Sequence, residues 1–443
     1  MNDKKPNVIL IYPNQDYAAM AELHRAHRFP NINMRPRPML NVGMLYIVAA
    51  IRDICNVQYI DNNIHKLSTA DLVEYIEQQK PDIVGFGGTL TEWTQAKNIA
   101  IAIRESCPNT ITAYGGPNAS ANPEKHVHYF DYVFRGWAEE SFRQFILNYQ
   151  QKKQLPNIDG VCFDPKFRHS GHVFIRHSAT DIDVNQIRYP ARNVVDLHSY
   201  KREQFPSVCK SPVDIVCASR GCPFSCKFCS SKSIWNQAYK MRDVYAVVEE
   251  VRMMQRLYGT KTVHFREDNL TANKTYLESI CKGLEPLGID WICQSRVNAL
   301  DRDTIRMMKV TGCKVICCGF ESANDETLAY IDKGFCFDDV VHTIDNLERE
   351  KMHYSGGFLV GVLNEGEEEI KRTLEFTRAV SQLNHSFVPR GAGRFVGWPT
   401  SETYKEIIDN GLVAYNWCDG EQLIPNTYKL IAKQVEDCMR RYW

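Results

Sequence analysis

The sequence predicts an α/β protein in two parts: an N-terminal doubly wound parallel sheet of Rossmann-like type, followed by a (β/α)6 partial TIM barrel and a short C-terminal tail. Three observations carry this prediction. Short apolar runs alternate with helical periodicity over about the first 150 residues, and a second strand-and-helix series of about six units starts at Val213. The 443 residues also exceed what one hydrophobic core normally organises.

In the first part, strands are expected over residues 7–13, 57–63, 82–89, 109–116 and 131–137, with helices between them such as 92–107. Ligands bind such sheets beyond the carboxyl ends of the strands. Turn residues stand at these ends: Gly85 and Thr89, then Gly115, Gly116 and Pro117, then Gly136. From Asn14 to Pro38 no element is evident, yet the stretch carries His24, Arg25, His27, Arg28, Arg35 and Arg37. A loop that long is either functional or disordered. Residues 152–212 break the rhythm and read as a connector, with a hairpin over 158–177 turning near Ser170 and Gly171.

The barrel series then runs through strands 213–217, 262–267, 291–296, 314–320, 353–362 and a last one near 387–395. Helices are expected over 244–258, 274–287, 303–310, 338–350 and 367–382. The divisions are therefore 1–151, 152–212, 213–398 and a short helical segment 399–443. An active site on a barrel lies at the carboxyl ends of its strands.

Composition narrows the function classes. Lys plus Arg equals Asp plus Glu at 53 each, so no net positive field draws nucleic acid or anionic lipid. No apolar run reaches bilayer length, and the stretch after the first lysines is too short for a secretory signal, which predicts a cytoplasmic protein without a membrane span. Sixteen cysteines in such a chain suggest metal or redox chemistry plus buried thiols.

The sharpest local signal is Cys222-Pro-Phe-Ser-Cys226-Lys-Phe-Cys229, directly after the first barrel strand. Three thiolates within eight residues on a loop can converge on one metal centre. A zinc knuckle would need a fourth ligand, for which Cys217 or Cys209 would have to serve. Three close cysteines at a strand end favour an iron-sulfur cluster with one open iron, able to bind a cosubstrate. Cys317 and Cys318 are adjacent in one strand, point to opposite faces, and read as core thiols. No Ser-His-Asp order, phosphate loop or paired-carboxylate pattern stands out, and no residue is singled out as catalytic.

This spacing, with Phe228 before the third cysteine, resembles the radical S-adenosylmethionine superfamily. The resemblance implies that Cys222, Cys226 and Cys229 hold a [4Fe-4S] cluster, that S-adenosylmethionine chelates the open iron, and that electron transfer yields a 5′-deoxyadenosyl radical. Phe228 would pack near the adenine; the competing reading is an ordinary core aromatic. Phe265-Arg266-Glu267-Asp268-Asn269 resembles the acidic strand end that faces the cosubstrate, although such a pair could equally cap the next helix. Gln294-Ser295-Arg296 ends the third strand. Gly319-Phe320-Glu321-Ser322, followed by Lys333-Gly334, resembles the Glu-Ser segment of this branch, and Glu321 could bind a ribose or amino group or else pair with Arg296. Arg394 and Tyr404 flank Trp398 to Thr403, which looks like the closing segment. The fifth strand departs from the pattern, with Gly361-Val-Leu-Asn-Glu365 where relatives carry a Pro-Gly turn.

The N-terminal part is similar to the cobalamin-binding domain of the B12-dependent branch, through Pro38 to Tyr46, Pro81 to Gly85, Gly115 to Asn118 and Arg135 to Glu140. Carried over, Gly85, Thr89, Leu90, Thr91, Gly115, Gly116, Pro117, Gly136 and Trp137 would face the corrin, and Phe228, Glu267, Gln294, Arg296 and Glu321 the cosubstrate. A doubly wound domain that has lost its ligand is the alternative. The Asp-x-His-x-x-Gly element that ligates cobalt elsewhere is not found, so a protein imidazole from that motif is not expected on the cobalt.

The resemblance thus implies a cobalamin-dependent methyltransferase acting on an unactivated carbon, or a phosphinate phosphorus, of a small-molecule or natural-product intermediate. An external electron donor such as flavodoxin or ferredoxin would reduce the cluster. The alternative is a radical S-adenosylmethionine enzyme that performs cyclisation, ring contraction, dehydration or epimerisation without methyl transfer. A sensor would be expected to carry an output domain, and none is visible after Trp398.

Overall fold

A computed structural model describes residues 5–15, 38–151, 158–164, 174–176, 182–235, 238–383, 386–388, 391–417 and 422–442. The chain forms two compact units, residues 1–201 with 233–236 and residues 202–232 with 237–443.

The first unit is built on strands β1 (Asn7–Tyr12), β2 (Asn56–Asp61), β3 (Ile83–Gly87), β4 (Ile111–Gly115), β5 (Tyr132–Phe134) and β6 (Val161–Cys162). Their order is β2-β1-β3-β4-β5-β6, parallel except for β6. This is the doubly wound sheet expected, and its strand order reverses between β1 and β3, the position at which sheets of this kind bind ligands beyond the strand ends. Helices α1 (Val42–Ile51), α2 (Thr69–Gln79), α3 (Trp93–Ser106), α4 (Pro117–Ala121) and α5 (Ala138–Gln150) connect the strands. Two apolar clusters form, one holding Leu10, Val48, Phe134 and Phe145 and the other Ile11, Ile76, Trp93 and Tyr114, as helices covering both faces require.

The stretch expected as a separate connector belongs to this unit as far as residue 201. β6 pairs antiparallel with β5, and Phe163 bridges Phe174, so the described ends of the predicted hairpin extend the sheet. Further on, Arg188 pairs with Asp53 at 2.9 Å, and Tyr200 donates to Asp61 at 2.9 Å. The hairpin tip at Ser170 and Gly171 and the basic stretch with His24 and His27 lie outside the described residues.

The second unit has six parallel strands, β7 (Val213–Val216), β10 (Thr262–Phe265), β11 (Asp290–Ser295), β12 (Cys313–Glu321), β13 (His353–Val360) and β14 (Ala392–Arg394), in the order β14-β13-β12-β11-β10-β7. Each strand pairs with its neighbours in the series, which is the (β/α)6 arrangement of a part-barrel. The helices are α6 (Val244–Tyr258), α7 (Lys274–Leu284), α8 (Arg302–Val310), α9 (Phe337–Arg349) and α10 (Glu367–Leu383). Capping fixes their ends: Asp243 accepts from the Ala246 amide ahead of α6, and Gly259 closes it with φ +64. Cys317 and Cys318 are both buried in different apolar clusters, as opposite faces demand.

The tail after Trp398 is more than the short helical segment expected. It contains α11 (Glu402–Asp409), an antiparallel pair β15 (Val413–Trp417) and β16 (Gln422–Pro425), and α12 (Ala432–Tyr442). Val435, Cys438 and Met439 of α12 join the main apolar cluster of this unit, and buried Arg394 pairs with Glu436 at 2.6 Å. Amphipathic spacing in a short segment does not reveal that it closes a core.

Candidate functional site

The cysteine loop leaves the carboxyl end of β7 and is closed at its base by a small ladder, β8 (Ser219–Arg220) against β9 (Lys240–Met241). Three side chains hold that base. Arg242 donates to the Cys217 carbonyl at 2.8 Å and pairs with Glu250 at 2.8 Å, with both charged groups buried. The Tyr276 hydroxyl lies 2.9 Å and 2.8 Å from the carbonyl oxygens of Ala218 and Arg242. The outer part of the loop is clamped as well, because the Lys227 amide donates to Ile331 at 3.1 Å and the Thr403 amide to the Lys227 carbonyl at 3.2 Å. The segment around Trp398 to Thr403 thus meets the loop at Lys227 and, through the Pro399 carbonyl, at the Ser230 hydroxyl, 2.8 Å away.

Within the loop, the Cys229 amide donates to the Cys226 carbonyl at 3.0 Å, and Cys229 Sγ accepts from the Ser231 amide at 3.5 Å. Desolvation, then the charges of Asp268 and the two other thiols, push Cys229 up to about 11, and desolvation raises Cys222 as well. The three thiols thus sit within electrostatic reach of one another. Among the described residues no three His, Cys, Asp or Glu side chains gather about a single-ion position. A zinc knuckle needs four ligands that meet at one point, whereas a four-iron cube spreads three thiolates over separate corners and leaves one iron open. Cys209 packs with Val213, Ile292 and Val315, and Cys217 directly follows β7, outside the loop that carries the three cysteines. The loop fits a [4Fe-4S] cluster.

Glu267 follows β10. It is 4% exposed, and neither carboxyl oxygen has a hydrogen-bond partner. Burial pushes it up to about 8. A buried carboxyl with two orphaned oxygens is matched by a cationic amine, which fits the amino group of S-adenosylmethionine. It does not cap the next helix; Asn273 caps α7 through the Tyr276 amide, and Asp268 accepts from the Ser231 hydroxyl.

Glu321, at the end of β12, adopts φ +66 and pairs with Lys333 at 3.0 Å, not with Arg296. Lys333 also lies over the Phe228 ring at 5.7 Å, and Phe228 packs beside Ile331, Val362 and Phe395. Arg296 turns to the cysteine loop, with Nη1 3.2 Å from Cys226 Sγ and the guanidinium 3.8 Å from the Phe224 ring centre. Gln294 is half-buried in β11, with no side-chain hydrogen bond to the other predicted residues. Glu365 explains the departure after β13: its carboxylate accepts from the Gly361 and Val362 amides at 2.8 and 3.1 Å, closing the turn that Pro-Gly would otherwise make. A cleft of about 240 Å³ beside Phe224 and Arg296 is also lined by Asn269, Thr271, Asn298 and Asp301.

In the first unit, Gly115, Gly116 and Gly136 are half-buried, and Thr89 and Pro117 exposed, at the ends of β3, β4 and β5. The Ser120 hydroxyl joins two of them, donating to the Gly116 carbonyl at 2.9 Å and accepting from the Gly136 amide at 2.8 Å. Gly116 has φ +105, and a Cβ there would meet the Gly88 carbonyl oxygen at 2.6 Å. The result is an accessible shelf of backbone at the strand ends, which fits a bulky planar cofactor. Trp137 is buried at the start of α5. Gly85 is a correction: it lies in the middle of β3, not at its end, and a Cβ would strike Leu10 at 2.6 Å, so its smallness serves core packing.

Two functional side chains escaped the sequence reading. Glu92, fully buried, accepts from the Thr89 amide and hydroxyl at 2.7 Å each, from Thr91 at 2.9 Å and from Tyr12 at 2.9 Å, and so shapes the Thr89-Leu90-Thr91 turn. The Thr-x-x-Glu spacing was the available signal. Arg242 had none.

Residues 216–377 match the Radical SAM superfamily and residues 33–146 the B12 binding domain. An uncharacterized methyltransferase of Pyrococcus horikoshii is 27% identical over 343 residues, 76% of this chain and 72% of that protein. An anaerobic magnesium-protoporphyrin IX monomethyl ester cyclase of Synechocystis is 24% identical over 69% of this chain, which spans 60% of the cyclase. The fold matches that of OxsB, a cobalamin-dependent S-adenosylmethionine radical enzyme, with TM-score 0.77 at 14% identity, over 99% of this chain and 66% of OxsB. Among the described residues no helix is long and apolar enough to cross a membrane. The chain thus joins a Radical SAM region, which carries a cysteine loop suited to an iron-sulfur cluster, to a B12 binding domain built on a parallel sheet.

Proposed function

We infer that the protein is a cobalamin-dependent radical S-adenosylmethionine methyltransferase acting on an unactivated carbon, or a phosphinate phosphorus, of a small-molecule intermediate. The observation that carries this reading is the three-cysteine loop joined in one chain to a B12-binding sheet. When bound, the cluster, cosubstrate and cobalamin supply one-electron and methyl-transfer chemistry. The protein's own residues hold and orient these partners. Cys222, Cys226 and Cys229 would ligate the cluster; Glu267, buried and with its carboxyl pushed up to about 8 by desolvation, would accept a hydrogen bond from the cosubstrate's amino group. The Lys333–Glu321 pair and Phe228 would border the rest of the cosubstrate, while Thr89, Leu90, Thr91, Gly115, Gly116, Pro117, Gly136 and Trp137 would border the corrin. Every described cysteine is a free thiol, which supports a reducing cytoplasm and an external donor of the flavodoxin or ferredoxin class.

Methyl transfer is tested by anaerobic reconstitution with methyl-labelled S-adenosylmethionine and mass spectrometry. Both 5′-deoxyadenosine and S-adenosylhomocysteine should form, with label in the product. A second reading, cyclisation or another rearrangement without methyl transfer, is favoured by the cyclase relative. Production of 5′-deoxyadenosine alone, with no S-adenosylhomocysteine on any accepted substrate, would select it.

A further inference from the structure

Arg296 directly follows β11, in a place where an arginine needs an explanation. It is 7% exposed, and among the described residues no carboxylate pairs with it. The carboxylates at the neighbouring strand ends and in the adjoining cleft have partners of their own: Glu321 pairs with Lys333, Asp268 accepts from the Ser231 hydroxyl, and Asp301 pairs with Lys274. A buried guanidinium without a counter-ion is costly unless something else balances its charge. Its contacts point to what does. Nη1 reaches Cys226 Sγ at 3.2 Å, Nη2 donates to the Lys333 carbonyl, and the plane lies over Phe224, two residues after Cys222. The fork is therefore held from three sides with one tine on a cysteine sulfur.

We propose that Arg296 is a positioning residue for the cluster whose N–H···S bond and fixed positive charge raise the cluster's reduction potential. This rests on the assignment of Cys226 as a cluster ligand. The step concerned is the one-electron reduction of the oxidised cluster by a low-potential donor: the donor loses one electron, the cluster gains one negative charge, and no bond or proton is exchanged. A cationic donor on a ligand sulfur stabilises the reduced form more than the oxidised one, because the reduced cluster carries the extra negative charge. Burial of the guanidinium limits screening by water and strengthens the effect. Phe224 and Lys333 matter because they stop the long side chain from swinging away. The sequence resemblance had assigned Arg296 to the cosubstrate; the geometry points to the cluster.

The test is a mediated redox titration of the reconstituted full-length protein, followed by electron paramagnetic resonance of the reduced cluster, without substrate. Iron and sulfide content is measured first, so that failure to hold a cluster at all, which would remove the underlying assignment, is separated from failure of this proposal. Arg296→Gln with a full cluster should lower the reduced-to-oxidised ratio at a fixed ambient potential at least tenfold, a negative shift of 59 mV or more for one electron. Arg296→Lys keeps the charge but not the planar fork and should shift the same way by less. An unshifted potential in the Gln variant overturns the proposal. Should that variant not load its cluster, the Lys variant decides: a potential equal to that of the unaltered protein overturns it, a partial negative shift supports it.

Discussion

Arg242 and Glu250 form an ion pair of 2.8 Å, with the arginine side chain 7% exposed and the glutamate fully buried, at the base of the cysteine loop. The same Arg242 Nη1 donates to the Cys217 carbonyl, and the Arg242 amide donates to Ala218 at 2.9 Å. The pair thus ties the second turn of α6, through Glu250, to the segment just before that helix and to the point where the chain leaves β7. Removing one partner strands a buried charge, so Glu250→Gln or Arg242→Met should cost about 3–5 kcal/mol. Denaturant unfolding of the second unit checks this, and the double variant should recover part of the loss; a Glu250→Gln protein as stable as the parent would show that the pair does not hold the loop.

Glu267 gives a pH dependence with a definite sign. Its folded-state carboxyl sits at about 8, above the unfolded value, so the folded state binds more protons than the unfolded one between these values. Its contribution to stability is present in full below the unfolded value and is lost as pH rises towards 8. Glu267→Gln should therefore lose less stability than the parent between pH 5 and pH 8, measured by urea unfolding at both ends. The same variant should bind S-adenosylmethionine weakly, and the parent should release a proton on binding it at pH 7, detectable as a buffer-dependent heat.

Gly116 tests the shelf in the first unit. Any side chain there meets the Gly88 carbonyl at 2.6 Å from a backbone already at φ +105. Gly116→Val should lower stability by roughly 1–3 kcal/mol and reduce cobalamin retention while iron loading is unchanged. Gly259→Ala, at the end of α6, is the control, since it too sits at positive φ, +64, while its Cβ would meet nothing within 4 Å. Equal cobalamin retention in the valine variant and the control would remove the shelf from the corrin site.

Replacing Cys222, Cys226 and Cys229 together with Ala should abolish both the cluster's visible absorption and cosubstrate cleavage, because too few ligands remain. Cys209→Ala and Cys217→Ala should leave the cluster in place. Loss of the cluster in either would revive the zinc-like reading with a fourth thiol.

The sequence by itself determined the two βα series, the strand ends on which ligands are presented, and the three-cysteine loop. These are local: periodicity is read within one element, and the three ligands lie within eight residues, so their proximity is imposed by chain connectivity. What only the tertiary structure decided depends on residues far apart along the chain. Arg296 meets Cys226 across 70 positions, and Tyr12 meets Glu92 across 80. Gly85 and Gly116 are alike in sequence, yet one is small to admit Leu10 and the other to approach Gly88. The C-terminal segment, legible only as a short helical stretch, closes the apolar cluster of the second unit through Val435. Pairings of this kind arise when folding brings strand ends and loops into one place, and which side chain then satisfies which buried group is set by packing and desolvation, not by spacing along the chain.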